Sequence, residues 1–150
     1  MIIRAARPQD FEAWLALWHG YNAFYGREGE TALPHPITKG SWARFLDPLE
    51  PMHCFVAERD GVLLGLAHIV LHRSTILLGP TCYLQDLFTA PEARGQGVGR
   101  ALIEAVYAFA DERAIGRVYW VTQASNAAGR ALYDKVAEHP GVIVYRRVQG

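Results

Sequence analysis

The chain has 150 residues, a length that suits a single domain over 1–150 with room for a real core. Apolar residues make up 51% and charged residues 20%, which excludes an intrinsically disordered chain. Fifteen basic residues offset fifteen acidic ones, so no net field draws the protein toward nucleic acid or an anionic membrane surface.

Two cysteines, Cys54 and Cys82, lack a C-x-x-C spacing and are too few for a disulfide framework, so free thiols are expected. The opening residues form no sustained apolar segment, and no uncharged apolar run approaches the roughly 20 residues that span a bilayer. A cytoplasmic location is the expectation.

Ile2 and Ile3 open a short strand that must stop by Pro8, after which Asp10 stands where a helix N-cap belongs. Phe11, Trp14, Leu15, Trp18, Tyr21 and Tyr25 then recur at three- and four-residue steps, the stripe of a helix. Residues 26–40, rich in Gly and Pro, read as a loop before a short helix over 41–46. Residues 53–59 and 62–72 flank Asp60-Gly61, whose tolerance of positive backbone angles predicts a tight hairpin.

A strand over 81–89 ends at Ala90-Pro91 and leads into Arg94-Gly95-Gln96-Gly97-Val98-Gly99. Beyond that loop Val98, Ala101, Leu102, Ala105, Val106 and Phe109 lie on one helical face. Residues 118–122 read as a buried strand, 126–136 as a helix, and 142–148, after Pro140-Gly141, as a closing strand. This order implies a mixed α/β sheet with helices on its faces.

Glycines placed just before a helix leave backbone N–H groups open at the positive end of the helix dipole, which suits phosphate oxygens. The loop is not a Walker A motif, because no Gly-Lys-Ser/Thr follows. It is not a dinucleotide fingerprint either, since residues 89–94 separate strand from glycines and no acid closes the strand at 118–122.

Residues 83–103, with Arg94, Gly97 and Gly99 matching an Arg/Gln-x-x-Gly-x-Gly/Ala pattern, resemble the acetyl-CoA-binding core of the Gcn5-related N-acetyltransferase (GNAT) family. Downstream, Asn126-Ala127-Ala128-Gly129-Arg130-Ala131-Leu132-Tyr133 is similar to that family's Asn-x-x-Ala/Gly-x-x-Leu-Tyr element. Thr89 departs mildly from the usual Val. The resemblance covers the chain in element order. It implies an α/β fold with a mixed, mostly antiparallel sheet of six to seven strands flanked by about four helices.

It further implies that the backbone of Leu87, Phe88 and Thr89 pairs with the pantetheine arm of acetyl-CoA as an added strand would. Amides of Arg94, Gly95, Gln96, Gly97, Val98 and Gly99 would hold the pyrophosphate, with Arg94 and Arg100 adding charge. Asn126, Gly129 and Arg130 would face the arm of the cofactor, although Asn126 serves equally well as a helix cap. Tyr133 matches the family's tyrosine near the sulfur, where a phenol of pKa about 10 can protonate a leaving thiolate; a core tyrosine fits the same stripe.

The general base is open: Asp86, Glu58 and Glu28 are all candidates by chemistry, and Asp86 alternatively binds the amine by charge. Trp18, Tyr21 and Tyr25, with Trp14 and Phe24, lie where the family builds an acceptor pocket, most of them as core, and Glu28 and Glu30 in the next loop suit a positive acceptor. His68 and His72 would stand ~13 Å apart on a strand, so no metal site is expected.

The leading reading is direct acetyl transfer from acetyl-CoA to a small primary amine, by a protein expected to form a homodimer. A protein- or peptide-directed acetyltransferase, and a catalytically weak acyl-CoA sensor, are the alternatives.

Overall fold

A computed structural model describes residues 1–149 and divides them into two units, 1–120 and the residues from 121 onward. The first unit is built on strands β1 (Ile2–Ala5), β2 (Met52–Arg59), β3 (Val62–His72), β4 (Thr81–Thr89) and β5 (Val118–Tyr119), adjacent in that order. The first three pairings are antiparallel and β4 pairs with β5 in parallel. Its helices are α1 (Phe11–Phe24), α2 (His35–Leu46) and α3 (Val98–Glu112); α4 (Ala127–Val136) lies in the second unit.

The β2–β3 hairpin turns on Asp60 at φ 53° and Gly61 at φ 78°, the two positive angles expected of that pair. One face of the sheet receives α3, through Val98, Leu102, Ile103 and Val106, all almost fully buried. Gly65 in β3 makes the close approach possible, because a Cβ there would lie 2.6 Å from the Phe88 carbonyl oxygen and 3.0 Å from Val98. The opposite face receives α1 and α2, where Trp14, at 0% exposure, packs against Trp42 with ring centroids 4.6 Å apart.

Four expectations are corrected. Among the described residues the sheet has five strands instead of six or seven. Residues 142–148 form no strand: a β-branched run makes one only when another backbone supplies the ladder, and Val142, Ile143 and Val144 stay exposed. The strand expected over 118–122 is limited to Val118–Tyr119. Finally, α2 starts six residues before 41, because Pro36 sits in its first turn, where a missing N–H costs nothing.

Asp10 precedes α1 but does not cap it. Its carboxylate instead accepts from the Arg7 amide at 2.7 Å and from the two terminal guanidinium nitrogens of Arg4 at 2.7 and 2.9 Å, while Arg4 Nε donates to Glu58. This ties β1, β2 and the entry to α1 together. The hydrogen bond from Arg4 holds the Asp10 carboxyl below its ordinary value. A depressed carboxylate stabilises the native state fully above its unfolded pKa of about 3.9, and the contribution is lost as pH falls through the native value. Asp10→Asn should therefore cost about 2 kcal/mol at pH 7 and progressively less below pH ~4, as read from urea midpoints across pH.

Candidate active site

The glycine loop joins β4 to α3 through a short 3₁₀ turn at Pro91–Ala93. Gly95 and Gly97 adopt φ 75° and 80°, and a Cβ at either would meet nothing within 4 Å, so the space beside them is open. Gly97 occupies the N-cap position of α3 and no side chain caps that first turn. Uncapped amides at the positive end of a 15-residue helix, beside open space, match the chemistry of a pyrophosphate.

The side chains around the loop are partly spoken for. Arg59 donates to the Gln96 side-chain oxygen at 2.8 Å, tethering the loop to β2. Arg94 lies 5.8 Å from the Phe88 ring centroid and donates to the Thr89 carbonyl at 3.4 Å. Arg100 pairs with Glu104 at 3.1 Å on an exposed helix surface.

Upstream of the loop, β4 pairs with β3 along its whole length but with β5 only at Cys82 and Tyr83. From Leu84 to Thr89, no strand among the described residues occupies the other edge. Leu87, Phe88 and Thr89 thus present one row of backbone groups in the way an added strand requires.

Asp86 owes its direction to an irregularity in β4. The ladder runs Leu66 to Phe88, Ala67 to Leu87 and His68 to Asp86, then skips to Ile69 with Leu84. Gln85 is the extra residue. A strict alternation would place Asp86 and Phe88 on the α3 face with Leu84; the bulge turns both toward α1 and α2.

On that face the Asp86 carboxylate meets His68, whose Nδ1 is 2.8 Å from Oδ2. Nε2 of the same ring accepts from the Trp14 indole N–H at 3.0 Å, and Phe45 stacks on the imidazole at 4.3 Å. Tyr21 lies alongside: burial, and then the adjacent Asp86 charge, push its phenol pKa well up, while Arg27 pulls it down. Sequence reasoning set Trp14 among the acceptor aromatics but missed His68 and Arg27 as parts of this site: the bulge that brings Asp86 to His68 leaves no periodic signal, and Arg27 reaches Tyr21 and Tyr25 from beyond the helix end.

Of the aromatic residues expected at the acceptor, Trp18 is 7% exposed and its indole N–H bonds Thr38, which makes it core. Tyr21 and Tyr25 form a tilted pair at 5.0 Å, with the Arg27 guanidinium 5.8 and 5.4 Å from their centroids. Arg27 is braced by the Asn22 side-chain oxygen at 2.7 Å and has no carboxylate partner among the described residues. Arg27, Asn22, Thr38 and the exposed Glu28 line a cleft of about 450 Å³ beside α1.

In the second unit, Asn126 caps α4 by accepting from the Gly129 amide at 3.1 Å and donates to Thr122. Gly129 must stay small because a Cβ there would collide with the Asn126 side chain. Arg130 donates to the Ala124 carbonyl at 2.9 Å. These contacts are a structural account of the Asn-x-x-Gly spacing. Tyr133 lies half-buried on α4.

A family model described as the acetyltransferase (GNAT) family matches residues 11–137. The D-amino-acid N-acetyltransferase HPA3 of Saccharomyces cerevisiae is 36% identical over 149 residues, covering 98% of this chain and 90% of that protein. Among solved structures, a probable acetyltransferase superposes with a TM-score of 0.86 at 23% identity over 100% of this chain and 99% of its own. AAC(6')-Iy, in complex with the bisubstrate analog CoA-S-monomethyl-acetylneamine, gives 0.82 at 19% identity over 99% and 98%. At these identities the two structures speak for the fold.

Asn126→Ala should lower stability by about 1 kcal/mol through loss of the cap. Gly129→Ala should forfeit the same cap, since its Cβ expels the Asn126 side chain, with up to about 1 kcal/mol returned by the better helix propensity of alanine. Thermal unfolding of both single variants and the double variant checks the shared cause, which requires the two losses not to add.

Proposed function

The chain belongs to the acetyltransferase (GNAT) family, and we propose that it acetylates the primary amine of a small molecule, an α-amino acid, directly in a ternary complex with acetyl-CoA. The observation that carries the acceptor class is the pairing of opposite charges around Tyr21. Asp86 lies beside its phenol and the Arg27 guanidinium lies 5.8 Å from its ring centroid, one carboxylate and one guanidinium that has no carboxylate partner among the described residues. An α-amino acid carries an ammonium and a carboxylate on one carbon, the complementary arrangement. The yeast relative named for D-amino acids supports the same class.

Acetyl-CoA, when bound, supplies an acetyl group already activated as a thioester. Amides of the Gly95–Gly99 stretch would hold its pyrophosphate, and the open edge at Leu87, Phe88 and Thr89 would align its arm. The family resemblance also assigns Asn126, Gly129 and Arg130, at the start of α4, to the cofactor's arm. Alignment of amine and thioester is the main demand on the enzyme, because a neutral amine attacks a thioester with little activation.

In this reading Arg27 grips the acceptor's carboxylate in a fork and Asp86 draws its ammonium, then takes the proton that frees the nitrogen lone pair. Tyr21 and Tyr25 wall the acceptor and keep Arg27 over their rings. The C–N bond forms as the C–S bond breaks, and Tyr133 gives its proton to the departing thiolate. Glu28, exposed at the rim, would favour acceptors that carry a further positive charge.

Thiol release from acetyl-CoA should depend on added amino acids more than on polyamines, aminoglycosides or lysine peptides. Arg27→Ala should raise KM for amino acids about 10²-fold, as loss of a charge-assisted pair of ~3 kcal/mol requires, and leave simple alkylamines little changed. Tyr133→Phe should lower kcat about 10²-fold. Release with peptides alone would favour a protein acetyltransferase; tight CoA binding with no release on any amine would favour a sensor.

A further inference from the structure

The hydrogen bonds of His68 leave it only one form. Trp14 Nε1 stands 3.0 Å from His68 Nε2, and an indole nitrogen can only donate. Nε2 must then present its lone pair. A ring with a lone pair at Nε2 carries its single proton on Nδ1, which points at Asp86 Oδ2 2.8 Å away. The imidazole is neutral, donates to the carboxylate, and cannot itself serve as the base.

Every element packed on the ring agrees with this. Trp18 from α1 and Phe45 from α2 cover it, with centroids 5.2 and 4.3 Å away, and His68 is 2% exposed. From β2 the cross-strand neighbour is Cys54, a buried thiol whose pKa burial pushes up, so it brings no charge. Asp86 is the carboxylate in contact with the ring, and Tyr21 flanks that carboxylate as a neutral phenol.

We propose that His68 is a positioning residue for acetyl transfer: Trp14 pins it as the Nδ1–H tautomer, and it holds Asp86 Oδ2 so that Oδ1 stays aimed at the acceptor's ammonium. The proposal rests on the reading of Asp86 as the group that receives the acceptor's proton. That proton passes from the ammonium to Oδ1, and His68 neither gains nor loses one. The bulge at Gln85 serves the same end, since it brings Asp86 into register with His68.

Long-range proton–nitrogen NMR correlations on the wild-type protein at neutral pH should place the His68 proton on Nδ1. A proton on Nε2, or on both nitrogens, overturns the proposal without reference to activity. Trp14→Phe removes the donor to Nε2 together with one ring of a buried side chain, and in the folded variant should let the second tautomer appear; an unchanged spectrum contradicts the pinning.

Kinetically, His68→Leu should lower kcat about 10²-fold, the scale of a misplaced catalytic group, with CoA affinity unchanged. His68→Asn keeps an N–H near the Nδ1 position and should recover at least tenfold of that loss. Equal kcat losses in the two variants, tracking their melting temperatures, would reduce His68 to a packing residue. Asp86→Asn separates the layers: full activity there overturns the role of Asp86, whereas an inactive Asp86→Asn beside a folded, fully active His68→Leu overturns only the positioning.

Discussion

The ladder between β3 and β4 slips by one residue at Gln85, and the chemistry of the α1 and α2 face depends on that slip. Side chains alternate along a strand, so one extra residue moves everything after it to the opposite face. Asp86 would otherwise join Leu84 against α3, a buried carboxylate among apolar side chains. With the slip, it meets an imidazole donor and the Tyr21 phenol. Phe88, moved by the same step, abuts Gly20 of α1 and sets that helix against β4; a Cβ at Gly20 would lie 3.0 Å from its ring.

In the proposed function the same strand would serve both substrates. One side-chain face would carry Asp86 to the acceptor, while among the described residues the backbone edge from Leu84 to Thr89 lacks a strand partner on the side away from β3 and continues into the glycine loop. Gly65 lets α3 approach closely enough that its uncapped start lies beside the end of β4. Trp14 links this arrangement to stability, being fully buried, stacked on Trp18, and bonded to His68. Burying a tryptophan contributes on the order of 4–6 kcal/mol, so the hydrogen bond that orients His68 is anchored in one of the stronger elements of the core.

Much of the fold was legible because it follows from local patterns. Asp60-Gly61 announced its hairpin, the apolar face of α3 appeared at the right residues, and the glycine loop fell between strand and helix. Asn126 capped the helix its position implied. What escaped the sequence depended on partners or on special positions. Residues 142–148 have strand composition but no ladder, and Pro36 looked like a breaker where the first helical turn tolerates it. Of the groups that the proposed site uses, the sequence had singled out Asp86, Tyr21 and Tyr25; His68 and Arg27 escaped it, since their places come from a register slip and from stacking across a helix end.

The central claim is that one acceptor is gripped by two groups, its carboxylate by Arg27 and its amine by Asp86. Lysine offers both an α-amine beside the carboxylate and a distant ε-amine, so the site of acetylation reports the grip. Fragmentation mass spectrometry of the product formed from lysine and acetyl-CoA should show acetylation at the α-nitrogen. An ε-acetylated product, or acetylation confined to lysines in peptides, would contradict the account.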